Sequence, residues 1–220
     1  MQDIIQRNLR EIREQIAPYK PNIIAVTKYF DGTAIESAYR CGLRDFAESR
    51  AVEAVDKIQK LPKEIREGSR FHFIGHLQSN KVRKVVENFD LIQSVDTLKL
   101  AIRVSEIAKE VGKEQEVLLE LNIANEAQKF GFSRAELIES FDKILNLPNL
   151  RVMGLMSMAP LGASEELIRG LYGQVVEIKS EIEAKFAVEL KEISMGMSQD
   201  YVIAAQEGAT MLRIGRKLFS

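Results

Sequence analysis

The chain has 220 residues with 31 Lys and Arg against 32 Asp and Glu, a net charge of −1. At about 150 residues per domain this is one large domain or two small ones, long enough to bury roughly 70% of its unfolded surface. A near-zero balance argues against a general nucleic-acid or polyanion binder, and 45% hydrophobic with 29% charged residues argues against disorder. The single cysteine, Cys41, excludes an internal disulfide, and it reads as a small buried side chain rather than a nucleophile. Two histidines, His72 and His76, make a His-rich metal site improbable. No run of about 18 apolar residues is present and the charged N-terminus carries no signal region, so a cytoplasmic location is expected.

From the N-terminus, Ile5, Leu9, Ile12 and Ile16 repeat at helical spacing. Short apolar runs then recur at Asn22–Val26, Arg44–Ala47, Phe71–Ile74, Leu91–Ser94, Glu116–Asn122, Leu150–Met156, Leu190–Met195 and Met211–Ile214. They alternate little, as parallel strands covered on both faces do. Between them lie helical patterns. Leu100, Val104, Ile107 and Val111 form one stripe. Ser133 with Glu136 is a capping box opening a helix that would bury Leu137, Ile138, Phe141 and Leu145. Ile168, Leu171, Val175, Ile178 and Ile182 form another stripe, and Gly208 is placed to end a helix starting near Ser198. Eight strands separated by seven helices predict a single (β/α)8 TIM-type barrel spanning 1–220, with an open doubly wound sheet as the alternative. After the eighth strand there is no room for a full outer helix. The N-terminal helix can fill that vacancy.

In such a barrel the functional residues gather at the carboxyl ends of the strands. Those ends carry Lys28, Glu48 with Ser49, His76 with Asn80, Asn122, Ser157, the run Ser194-Met195-Gly196-Met197-Ser198, and Arg213-Ile214-Gly215. Lys28 leaves the strand IIAVT at the active face, where desolvation can lower a lysine's pKa and make its amine nucleophilic toward an aldehyde. The alternative is a strand-end lysine pointing into water. The small residues of SMGMS, with Ser198 placed to cap the next helix, and the RIG segment together suggest a phosphate site; an ordinary N-cap and a tight turn are the simpler readings. His72, between Phe71 and Phe73, reads as a hydrogen-bonded structural residue. Lys81, Arg83 and Lys84 read as a solvated helix face, and neither a dinucleotide fingerprint nor a P-loop occurs.

AVTK at 25–28, FAESR at 46–50, FHFIGHLQSNK at 71–81, LELNIANEAQKFGF at 119–132, GLMSMAP at 154–160, SMGMSQDY at 194–201 and RIG at 213–215 resemble the pyridoxal phosphate homeostasis proteins, relatives of the barrel domain of alanine racemase. The resemblance implies pyridoxal 5′-phosphate held as a Schiff base on Lys28, with Ser49, His76, Asn80, Ser194, Met197, Ser198, Arg213, Gly215 and Arg216 contributing to the cofactor site. It further implies a role in vitamin B6 and amino-acid homeostasis without established turnover, in a monomer that can hand its cofactor to apo-enzymes, with no nucleic-acid or membrane partner. The family commonly reads Phe-Gly-Glu-Asn-Arg after the second strand, where this chain has Phe46-Ala47-Glu48-Ser49-Arg50. The contact carried over to Ser49 therefore spans a shorter side chain. A pyridoxal-phosphate racemase is the runner-up, and an aldolase using Lys28 without a cofactor is the third reading. By resemblance Arg213 meets the pyridine nitrogen, where it can only donate, which leaves the ring a weak electron sink, disfavours transamination and leaves racemisation possible. Racemisation also needs an acid/base on each face of the substrate carbon, and alanine racemase takes one of them from a second domain for which this chain leaves no room. The homeostasis reading is the expected one.

Overall fold

The computed structural model describes residues 1–124 and 130–220, so part of the 119–132 motif, residues 125–129, lies outside the described residues. Eight parallel strands close in sequence order: β1 (Asn22–Val26), β2 (Asp45–Glu48), β3 (Arg70–Phe73), β4 (Leu91–Val95), β5 (Gln115–Leu121), β6 (Leu150–Ser157), β7 (Glu192–Ser194) and β8 (Met211–Ile214). The pairing of β1 with β8, Ile24 opposite Arg213 and Ala25 opposite Ile214, seals the barrel and removes the open-sheet alternative.

Around the strands run α1 (Gln2–Gln15), α2 (Gly32–Arg40), α3 (Ala51–Gln59), α4 (Lys63–Glu67), α5 (Val82–Asn88), α6 (Leu98–Glu110), α7 (Arg134–Leu145), α8 (Glu165–Phe186), α9 (Tyr201–Gln206) and α10 (Arg216–Phe219). The β2–β3 connection thus holds two helices where one is expected. Capping side chains open several of them: Asp31 accepts from Thr33 N–H, Thr97 from Leu100, Ser164 from Leu167, and Ser133 forms the expected capping box with Glu136. With α10 only four residues long, α1 buries Ile5, Leu9 and Ile12, and the Asn8 side chain donates to the carbonyls of Leu218 and Ser220. The N-terminal helix does occupy the last outer position.

Three local expectations change. In α7 the buried stripe is Leu137, Phe141 and Ile144, while Leu145 is exposed, because i, i+4, i+7 follows the 3.6-residue turn and i+8 leaves the contact. The helix expected from Ser198 starts at Tyr201. Cys41 is only partly covered: it lies past the buried stripe Ala34, Ile35 and Ala38 of α2, with Sγ 3.6 Å from the Gln2 carbonyl.

Strand alternation divides the core. Residues pointing outward pack under the helices in one large cluster. Inside, a smaller cluster of Ile24, Val26, Ala47, Leu91, Leu118, Met156 and Met211 fills part of the barrel. The same inward positions continue with Asp45, His72, Gln93, Glu120, Ser194 and Arg213, so the interior is half polar.

Candidate functional site

All eight strands are parallel, so their carboxyl ends share one rim. Lys28 stands two residues beyond β1, between the ends of β2 and β8, which pair with β1 on either side. The segment before it is firmly held. Thr27 N–H donates to Ala47 O at 3.0 Å, and Thr27 Oγ1 donates to Glu48 Oε1 at 2.7 Å. Lys57 Nζ reaches the same Oε1 at 2.7 Å and the Thr27 carbonyl at 2.9 Å. Glu48 is buried, and its Oε1 takes both the Thr27 and the Lys57 bond. These bonds hold the backbone that leads to Lys28, a half-buried residue whose amine lies 5.2 Å from the Tyr29 ring centroid.

The ends of β7 and β8 come side by side. Gly196 has φ +87° and a Cβ there would stand 2.4 Å from Ala204 Cβ, so only glycine lets this turn fold back on α9. Met197 N–H donates to Asp200 Oδ1 at 2.5 Å, a turn that places Asp200 rather than Ser198 at the start of α9. The expected capping role of Ser198 is thereby corrected. Its Oγ accepts from Lys217 N–H at 3.3 Å and ties SMGMS to the first turn of α10. Gly215 precedes that turn and packs on Val26 of β1, and Arg216 is exposed beside it.

Arg213 lies inside the barrel, almost wholly buried, donating from Nη1 to Ser194 Oγ at 2.7 Å and from Nη2 to Ser157 O at 2.9 Å. Burial pulls its pKa down, opposed by Tyr172, Glu120 and Asp200, and a guanidinium nevertheless stays protonated. Burial also pushes Glu120 up to about 7, helped by Asp96 and opposed by Arg213. Tyr172 is raised for the same reason, and its Oη donates to Asp200 Oδ2 at 2.7 Å. Asp96 faces His76 Nδ1 at 3.3 Å, and the His76 ring stacks on Phe130 at 3.6 Å between centroids. His76 and Ser49 share a cavity of about 180 Å³ that Phe73 and Lys81 also line. Asn80 is exposed in the 3-10 turn Ser79–Lys81, on the segment leading from His76 to α5.

The fold thus gathers Lys28, Ser49, His76, Met197, Ser198, Gly215 and Arg216 on the rim, with Ser194 and Arg213 beneath. Gln93, Asp96 and Glu120 were missed in the sequence. For Gln93 and Glu120 the signal is a polar residue inside an apolar strand, as in LIQSV and VLLEL, placed on the inward register.

The chain matches the family described as alanine racemase, N-terminal domain, over residues 2–220. The chain belongs to that family. Within it, it is 42% identical over 208 residues to a pyridoxal phosphate homeostasis protein of Synechocystis sp., covering 94% of each chain. Among solved structures, PipY of Synechococcus elongatus with pyridoxal phosphate bound is 36% identical at TM-score 0.88, over 98% of this chain and all of that one. Alanine racemase of Clostridium difficile shares the fold at TM-score 0.80 and 16% identity, over 99% of this chain and 56% of that one. The chain is therefore a member of the pyridoxal phosphate homeostasis branch of the family. No helix among the described residues is long and apolar enough to cross a membrane.

Proposed function

We propose that this protein binds pyridoxal 5′-phosphate through Lys28 and serves vitamin B6 and amino-acid homeostasis by holding and delivering the cofactor. The likeness to PipY with its bound pyridoxal phosphate, spanning nearly the whole chain, is the observation that carries the reading. The donor set on the rim suits that molecule. Lys28 offers an amine to an aldehyde, Arg213 a donor to a ring nitrogen, and the joined SMGMS and RIG segments a hydroxyl and backbone close enough for a phosphate. When bound, pyridoxal phosphate supplies an electrophilic aldehyde and an electron-withdrawing ring. In this reading Ser198, Gly215 and Arg216 hold the phosphate, Ser194 fixes Arg213, and Ser49, His76, Asn80 and Met197 border the ring or its entrance. The protein acts as a cytoplasmic monomer whose recipients are apo-enzymes.

The racemase reading is weaker. Arg213 only donates, so it cannot hold a proton on the ring nitrogen, which disfavours transamination but by itself leaves racemisation open. The buried Tyr172 hydroxyl is committed to Asp200, and that of Tyr201 to Gln15.

Borohydride treatment of the loaded protein, followed by peptide mass spectrometry, tests the attachment. The reduced label is expected on Lys28. A label on another lysine would remove Lys28 from the site. Arg213→Gln is expected to weaken cofactor retention by about tenfold or more, the loss of one charge-assisted hydrogen bond. Because Arg213 also holds Ser157 and Ser194, the melting temperature of the apo-protein is measured alongside. A variant that melts lower yet retains cofactor like the wild type would make Arg213 purely structural.

A further inference from the structure

Four hydrogen bonds run in one line through the barrel. Arg213 Nη1 donates to Ser194 Oγ at 2.7 Å, and Ser194 Oγ donates to Gln93 Oε1 at 2.7 Å. Gln93 Nε2 lies 2.9 Å from His72 Nδ1, and His72 Nε2 lies 2.8 Å from Asp45 Oδ1. The chemistry fixes every direction. An amide nitrogen only donates, so Nδ1 accepts and the imidazole carries its proton on Nε2, facing the carboxylate. The line thus points uniformly from a cation to an anion. Arg213, Ser194, Gln93 and His72 are all buried, whereas Asp45 reaches the other end of the barrel. There it borders a cavity of about 820 Å³ together with Arg13, Lys20 and Arg44.

Such a line is an expensive way to fill a core, since each buried polar group must be matched and apolar packing would serve. The neighbouring inward positions, Ile24, Val26, Ala47, Leu91, Leu118, Met156 and Met211, show that this interior accepts apolar side chains. What the line adds is orientation. Ser194 and Ser157 hold the two terminal nitrogens of Arg213 and so set its plane; Gln93 and His72 in turn hold Ser194.

We infer that Gln93 and His72 are positioning residues for Arg213, and that the line from Asp45 sets how tightly the rim holds pyridoxal phosphate. The inference rests on the reading of the rim as a pyridoxal phosphate site. Shorn of the line, Ser194 loses its acceptor and the guanidinium can turn.

The test is the release rate of pyridoxal phosphate from the loaded protein into an excess of apo-aminotransferase, followed by absorbance, with apo-protein melting in parallel. Gln93→Met keeps the volume and removes both of its bonds in the line, to Ser194 and to His72. Release is expected to quicken about fivefold, the size of one hydrogen bond. Asp45→Asn, at the far end, is expected to act in the same direction by a smaller factor, and it serves alone should Gln93→Met fail to fold. In an Arg213→Gln background neither change should alter release, because what they position is gone. An unchanged rate in both single variants, or the same factor in the Arg213→Gln background, would overturn the inference while leaving the cofactor site intact. A wild type that takes up no pyridoxal phosphate would overturn both.

Discussion

Gly75→Ala is expected to destabilise the protein by on the order of 3–5 kcal/mol, lowering its melting temperature by roughly 10 °C for a chain of this size. Gly75 follows β3, and a Cβ there would stand 2.1 Å from the Ser49 carbonyl oxygen and 2.8 Å from its carbon. Both are backbone atoms, so no rotamer change relieves the clash. The neighbourhood is pinned as well: Ile74 N–H donates to Glu48 O at 2.9 Å, and Ser94 Oγ donates to Gly75 O at 2.6 Å. Accommodating one methyl therefore means parting the ends of β2, β3 and β4. Because Ser49 moves with them, cofactor retention should fall in the same variant. Thermal unfolding of the apo-protein decides the matter; a shift under about 2 °C would mean that the strand ends separate freely.

The barrel was legible because its physics is local and repetitive. Parallel strands covered on both faces read as apolar runs, and each intervening stripe of helix shows its spacing without help from the rest of the chain. The Ser133–Glu136 capping box and the burial of Ile5, Leu9 and Ile12 under the barrel follow from residues three or four apart. Strand ends were less legible: β7 stops at Ser194 because the Gly196 turn, with its positive φ, takes the chain out of the sheet.

The rim was legible wherever position alone decides. Lys28, Ser49, His76 and Gly215 follow from the rule that strand carboxyl ends carry function. Ser198 fails as a cap because the N–H groups of Asp200 and Tyr201 donate to the Met197 carbonyl, while the Ser198 hydroxyl accepts from Lys217 N–H. The interior needed three dimensions. His72 could be assigned from its flanking phenylalanines, but its partners Gln93 and Asp45 are 21 and 27 residues away. Glu120 presents the same difficulty: only closure of the barrel brings its carboxyl near Asp96 and Arg213.

Closure around Glu120 also gives the protein a pH-dependent stability. Its carboxyl titrates at about 7 in the fold against 4.5 without it, chiefly from burial, then from Asp96, with Arg213 opposing. The folded state therefore holds this proton to higher pH than the unfolded state does. Below pH 4.5 both states are protonated and the fold bears no penalty. Across the window up to about 7 the unfolded chain ionises first and stability declines, reaching a loss of about 3 kcal/mol above it. Asp45 has a lowered pKa, so its own contribution is lost only in acid and does not mask this window. Glu120→Gln keeps the side-chain shape and removes the charge. Urea unfolding should find the variant close to wild type at about pH 4.5 and about 3 kcal/mol more stable at about pH 8. Parallel curves for the two proteins across that range would show that Glu120 ionises in the fold as readily as in water. The expected divergence instead identifies a carboxyl kept largely neutral beside Arg213 until the pH reaches about 7, so that in acid the guanidinium faces the rim without this counter-charge.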